Sequence, residues 1–76
     1  MKETLETIIK SLTEFPEQDS INEIDGEKSV VFEVKVAETD MGKVIGREGK
    51  IAAAIRTVMK ALASKEQKRV SVEFIG

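Results

Sequence analysis

The chain has 76 residues, 41% hydrophobic and 34% charged, a balance that suits one small soluble domain burying only about 60% of its unfolded surface and excludes a deep catalytic cavity. With neither Cys nor His, it lacks the usual zinc ligands, thiolate nucleophiles and the commonest general base, so no metal, cofactor or catalytic residue is expected. The net charge of −2 hides a division: residues 1–40 hold 4 Lys against 11 acidic residues (−7), residues 41–70 hold 8 Lys or Arg against 2 Glu (+6), and Glu73 supplies the last −1.

The first element is an amphipathic helix over 2–15, with Leu5, Ile8, Ile9, Leu12 and Phe15 at spacings of three and four. Pro16 ends it, because the residue before a proline is pushed out of the helical region. Residues 19–37 read as a hairpin. Its first arm is weakly patterned, with Ile21 and Ile24 on opposite phases; Asp25-Gly26-Glu27-Lys28 is the turn, with Gly26 supplying a positive φ. In the second arm Val30, Phe32, Val34 and Val36 alternate with Val31, Glu33 and Lys35, the mark of a half-buried strand.

Residues 40–64 read as a helix-turn-helix. Thr39 and Asp40 are placed to cap a short turn through Met41, Val44 and Ile45, and Gly42 is read as a packing residue. From Lys50 to Ser64, Ile51, Ala52, Ile55, Val58, Met59 and Leu62 form one apolar face, of which the stripe Ile55, Val58, Met59 and Leu62 is read as core. Its continuation by Ile51, Ala54 and Ala61 widens that sector, so part of it is a prospective dimer surface. Val70, Val72 and Phe74 alternate in a closing strand, 70–75. The long connection from the second strand to the third permits a parallel pairing. The expectation is therefore one α+β domain over 1–76, a two-layer sandwich with a three-stranded mixed sheet covered on one face by helices.

The segment most informative about function is Gly46-Arg47-Glu48-Gly49. Glycines between two helices allow a sharp turn and a close approach of another backbone, and the first amides of the second helix lack internal partners, so the loop suits a phosphate. The P-loop pattern fails at Val44 and Ile51, and the dinucleotide fingerprint again meets Val44 where it needs glycine. What remains is G-x-x-G between two helices, the loop with which a KH domain clamps a nucleic-acid backbone.

Val44 to Ile55, VIGREGKIAAAI, resembles the core motif of KH domains, and the element order is similar to their bacterial, type II arrangement. More closely, Asp40 to Phe74 resembles the small single-domain bacterial KH proteins of the KhpA type. The resemblance implies single-stranded RNA in a narrow groove, with Gly46, Arg47, Glu48 and Gly49 against the sugar-phosphate backbone. It also implies an aliphatic floor of Val44, Ile45 and the first turn of the next helix, Ile51 and Ala52 included. Lys43, Arg47 and Lys50 are the candidates for phosphate pairing. Glu48 departs from family loops, which often carry basic or neutral residues there; a like-charge contact near water costs about 1 kcal/mol.

With no Trp or Tyr, and with Phe15, Phe32 and Phe74 at core-like positions, stacking of bases on aromatic rings is not expected. Arg56, Lys60, Lys65, Lys68 and Arg69 read as solubility or steering charges, and the acidic residues as solvated. The resemblance further implies self-association as a homodimer and pairing with a larger multi-domain KH protein of the KhpB (Jag) type. A cytoplasmic RNA chaperone or post-transcriptional regulator, with no membrane segment, is the function expected. The alternative is a KH-fold dimerisation scaffold with its groove unused, or a domain preferring single-stranded DNA.

Overall fold

Leu5 and Ile9, one helical turn apart, are fully buried on helix α1 (Lys2–Leu12), with Ile8 and Leu12 partly covered beside them. The structure is a computed structural model describing residues 1–76. α1 is three residues shorter than the apolar spacing indicates. Thr13 is already extended (φ −91°, ψ 147°), Pro16 opens a single 3-10 turn over Pro16–Gln18, and the amides of Glu14 and Phe15 bond to the carboxylate of Asp40 instead of continuing the helix. Phe15, expected in the core, is consequently 38% exposed.

Strand β1 (Ser20–Asp25) pairs antiparallel with β2 (Ser29–Lys35), and β2 pairs parallel with β3 (Arg69–Ile75), in the order β1-β2-β3. Val30, Phe32 and Val34 of β2 and Val72 of β3 are buried, as the alternation requires. Ile21 packs partly against the core while Ile24 is exposed, the consequence of their opposite phases. The turn between β1 and β2 closes through the Gly26 amide donating to the Ser29 carbonyl at 2.7 Å. Gly26 does not take the positive φ expected of it.

A 3-10 turn (Glu38–Asp40) leads into helix α2 (Met41–Ile45), and the glycine loop separates α2 from α3 (Lys50–Lys65). Ala52, Ile55, Met59 and Ala63 carry α3 onto the sheet. Val58, expected in the core, is 43% exposed: its flank of the helix lies outside the sheet layer. Gly42 does not serve close packing either, since a Cβ there would meet nothing within 4 Å.

α3 ends in a Schellman arrangement. Gln67 is left-handed (φ 58°), its amide bonds to the Ser64 carbonyl at 3.0 Å, and the Lys68 amide bonds to that of Ala63 at 2.9 Å. Lys68 then reaches Asp25 at 2.7 Å, so this pair is a contact between β1 and the start of β3, not two solvated charges. The fold is the expected α+β sandwich, with a three-stranded mixed sheet covered on one face by helices.

Candidate functional site

The loop joining α2 to α3 has an unusual backbone for a reason its sequence supplies. Gly46 lies at φ 78°, ψ 172°, Glu48 at φ 58°, ψ 24°, and Gly49 at φ 74°, ψ 15°. The first of these conformations is essentially restricted to glycine, and the other two are left-handed. The Gly46 amide closes α2 on the Gly42 carbonyl at 2.9 Å, and the Gly49 amide bonds to the Gly46 carbonyl at 3.1 Å. A Cβ on Gly46 would stand 2.5 Å from Ile51 Cγ1, so the loop is pressed against the first turn of α3. Gly49 has open space around it and no side chain caps α3.

The predicted site residues divide by burial. Arg47, Glu48 and Lys50 are exposed around the loop, Gly46 and Gly49 half-buried, and Ile45 and Ile51 half-buried beside them. Val44 is fully buried and Ala52 is 2% exposed, so the expected aliphatic floor narrows to Ile45 and Ile51. Val44 and Ala52 anchor the two helices from below.

Lys43 is placed differently from the other cations. Its Nζ lies 3.4 Å from Glu14 and 3.5 Å from Asp40, and it is therefore shared between two carboxylates. Arg47 and Lys50 form no ion pair.

The position of Asp40 before α2 suits a cap, but its side chain does not bond to that helix. It is the only fully buried charged residue, with one oxygen 3.0 Å from the Glu14 amide and the other 2.9 Å from the Phe15 amide. Burial pushes its carboxyl upward, but the two amides and the nearby Lys43 outweigh this and hold it below the ordinary aspartate value. The clasp ties the end of α1 to the base of α2.

Arg56 is a second residue whose role the spacing does not reveal. It spans from α3 to β3, with Nε donating to the Val72 carbonyl at 3.1 Å and the guanidinium 5.3 Å from the centroid of the Phe74 ring. Helical periodicity marks Arg56 as off the core face, and only the packing of α3 beside β3 gives it these partners. A largely apolar groove on the opposite flank of α3 is lined by Ile8 and Leu12 of α1 with Lys50, Ile51, Ala54, Ile55 and Val58.

Residues 2–74 match the family model described as the KhpA/KhpB KH domain. Among curated proteins, the chain is 59% identical to the RNA-binding protein KhpA of Clostridium acetobutylicum over 75 residues, covering 99% of this chain and 100% of the relative. It is 55% identical to that of Caldanaerobacter subterraneus subsp. tengcongensis over 99% and 100% of the two chains, and 45% identical to that of Borreliella burgdorferi over 96% and 89%. No solved structure matches the chain significantly.

Proposed function

The chain belongs to the KhpA/KhpB KH-domain family, and from that premise we propose that it binds single-stranded RNA without catalysing a reaction. The relatives it matches are named RNA-binding proteins. The observation that carries the reading is the loop itself: three positive φ angles in four residues expose main chain between Arg47 and Lys50, two cations without carboxylate partners. Gly46, Arg47, Glu48 and Gly49 meet the sugar-phosphate backbone, and Ile45 and Ile51 give the bases an aliphatic surface. Lys43 joins the phosphates only by leaving Glu14, so its contribution is smaller than that of Arg47 or Lys50.

Backbone contacts of this kind bind loosely and weaken with salt. A domain with so few nucleotide contacts gains avidity from a second module, which favours a homodimer or pairing with a larger KH protein of the KhpB (Jag) type. The cellular role that follows is a cytoplasmic RNA chaperone or post-transcriptional regulator. No helix of the chain is long and apolar enough to cross a membrane.

The test is an amide NMR titration with a mixed pool of short single-stranded RNAs. The control variant is Gly49→Asp, because that glycine has open space around it while Gly46 does not. Shifts at residues 43–54 and β3, lost in the variant, are expected; a folded protein with no shifts at low salt would overturn the reading. In the same titration Glu48→Lys should tighten binding about fivefold, the equivalent of about 1 kcal/mol at contact. An unchanged affinity would place the Glu48 carboxylate away from the RNA.

The groove between α1 and α3 favours self-association as a second property of the same domain. Val58 is 43% exposed there although apolar, and the groove lies on the side of α3 away from β3. Sedimentation should show Val58→Asp shifted to monomer. A wild-type protein that sediments as a monomer at high concentration would exclude this surface as a dimer contact.

A further inference from the structure

Of the cations around the glycine loop, only Lys43 is already matched by anions of the chain itself. Arg47 and Lys50 form no ion pair, whereas Lys43 Nζ lies 3.4 Å from Glu14 and 3.5 Å from Asp40. Lys43 belongs to α2 and precedes Gly46 by three residues, which at 1.5 Å per residue puts it about 4.5 Å along the helix from the start of the loop. Its side chain is 47% exposed and carries its charge on a flexible stem. The ammonium therefore reaches a phosphate lying against the loop.

The two carboxylates hold Lys43 on unequal terms. Asp40 is fully buried and both its oxygens are engaged by the amides of Glu14 and Phe15, so it does not turn away. The Glu14 side chain is 67% exposed, and its carboxylate has no partner but Lys43. An exposed pair of this sort is weak, because water screens it and both side chains lose rotamer freedom in making it. The place of Glu14 is nevertheless built into the fold. Its own amide is one of the two that Asp40 binds, so the main chain delivers this carboxylate to an ammonium 29 residues away in sequence.

Building on the RNA-binding reading above, we propose that Glu14 is an internal competitor of RNA, whose carboxylate occupies the ammonium of Lys43 and must swing into solvent before that ammonium pairs with a phosphate. A carboxylate oxygen and a phosphate oxygen offer the same charge and the same kind of acceptor to an N–H. Lys43 has three such donors, so Asp40 keeps its hold while the exposed partner is exchanged. Glu14 and a phosphate do not share the ammonium, since like charges at contact repel. The exchange also alters the salt dependence. Once displaced, Glu14 stays beside the strand as an unpaired anion and retains a counterion in place of the one that the phosphate releases.

The experiment measures fluorescence anisotropy with a short oligouridylate at salt concentrations from about 50 to 200 mM. It compares the wild type with Glu14→Gln, Lys43→Ala and the double variant, all checked for matching thermal stability. Glu17→Gln, at an exposed acidic neighbour that forms no ion pair, controls for the loss of one negative charge, and Gly49→Asp for the loop. At low salt Glu14→Gln should bind about threefold more tightly than the wild type, within the range of an exposed ion pair. Its plot of log affinity against log salt should be steeper by about 0.7, the value of one phosphate contact on a single strand. In the Lys43→Ala background the same substitution should leave affinity and slope unaltered, as Glu17→Gln should in the wild type. If Glu14→Gln acts equally with and without Lys43, or if Glu17→Gln tightens binding as much, the competition is overturned, and binding that is still lost in Gly49→Asp leaves the RNA reading intact. If neither the wild type nor Glu14→Gln binds the oligonucleotide at low salt, both readings are overturned.

Discussion

Replacing Gly46 with alanine should destabilise the domain by about 3 kcal/mol, from two causes that add. Holding a side chain in its backbone conformation costs about 1–3 kcal/mol, since φ 78° with ψ 172° is glycine territory. The new methyl would also stand 2.5 Å from Cγ1, 2.8 Å from Cβ and 2.9 Å from Cδ1 of Ile51. Ile51 has little room to retreat, because the next residue, Ala52, and then Ile55 seat that turn of α3 in the core; overpacking of this kind costs about 1–3 kcal/mol. Against a total stability of about 4–11 kcal/mol for a chain of this length, the melting temperature should fall by about 10–20 °C.

Gly49→Ala supplies the comparison. Its φ of 74° is equally positive but a Cβ would meet nothing within 4 Å, so only the left-handed penalty of about 1–2 kcal/mol remains. Urea unfolding of the two variants separates the causes, and equal losses would refute the steric argument. Adding Ile51→Ala to Gly46→Ala removes Cγ1 and Cδ1 but leaves the Cβ contact, and should recover only part of the clash.

Asp40→Asn should lower the melting temperature by on the order of 10 °C, because it leaves one buried amide facing an NH₂ donor. The carboxylate accepts from both Glu14 and Phe15; an asparagine amide has a single oxygen to offer them. The pair with Lys43 is lost as well. Acid titration gives a second readout. The folded Asp40 carboxyl is held below its ordinary value, so its stabilisation is complete above the unfolded aspartate range near pH ~4 and drains away as pH falls through the lower folded value. The wild type should lose this contribution on acidification and the asparagine variant should lack it. Parallel stability curves for the two proteins below pH ~4 would show that Asp40 does not contribute in the way its contacts indicate.

The element order was legible because each element carries its own period. Val30, Phe32 and Val34 point one way at every second residue, and Leu5 and Ile9 recur at the helical spacing. The glycine loop was legible for a similar reason: two glycines three apart between helices are a local signal, and the angles at Gly46 and Gly49 are local facts. The limit of α1 was not, since its apolar spacing runs on to Phe15 while the residue that withdraws the Glu14 and Phe15 amides lies about 25 positions away in sequence. Asp40 at the start of a helix looks like a cap from its neighbours alone. The reading of Phe15 as core failed with it.

The sequence by itself determined the α+β class and the position of the loop, because periodicity and glycine spacing are properties of neighbouring residues, and its resemblance to the KhpA type over Asp40 to Phe74 pointed to the family that the comparisons show. The tertiary structure alone decided which of the predicted site residues reach solvent. It sealed Val44 and Ala52, shared Lys43 between Glu14 and Asp40, left Val58 outside the sheet layer and fixed Arg56 against β3. Periodicity gives the direction in which a side chain leaves its helix, while burial and pairing depend on what another part of the chain brings to that side.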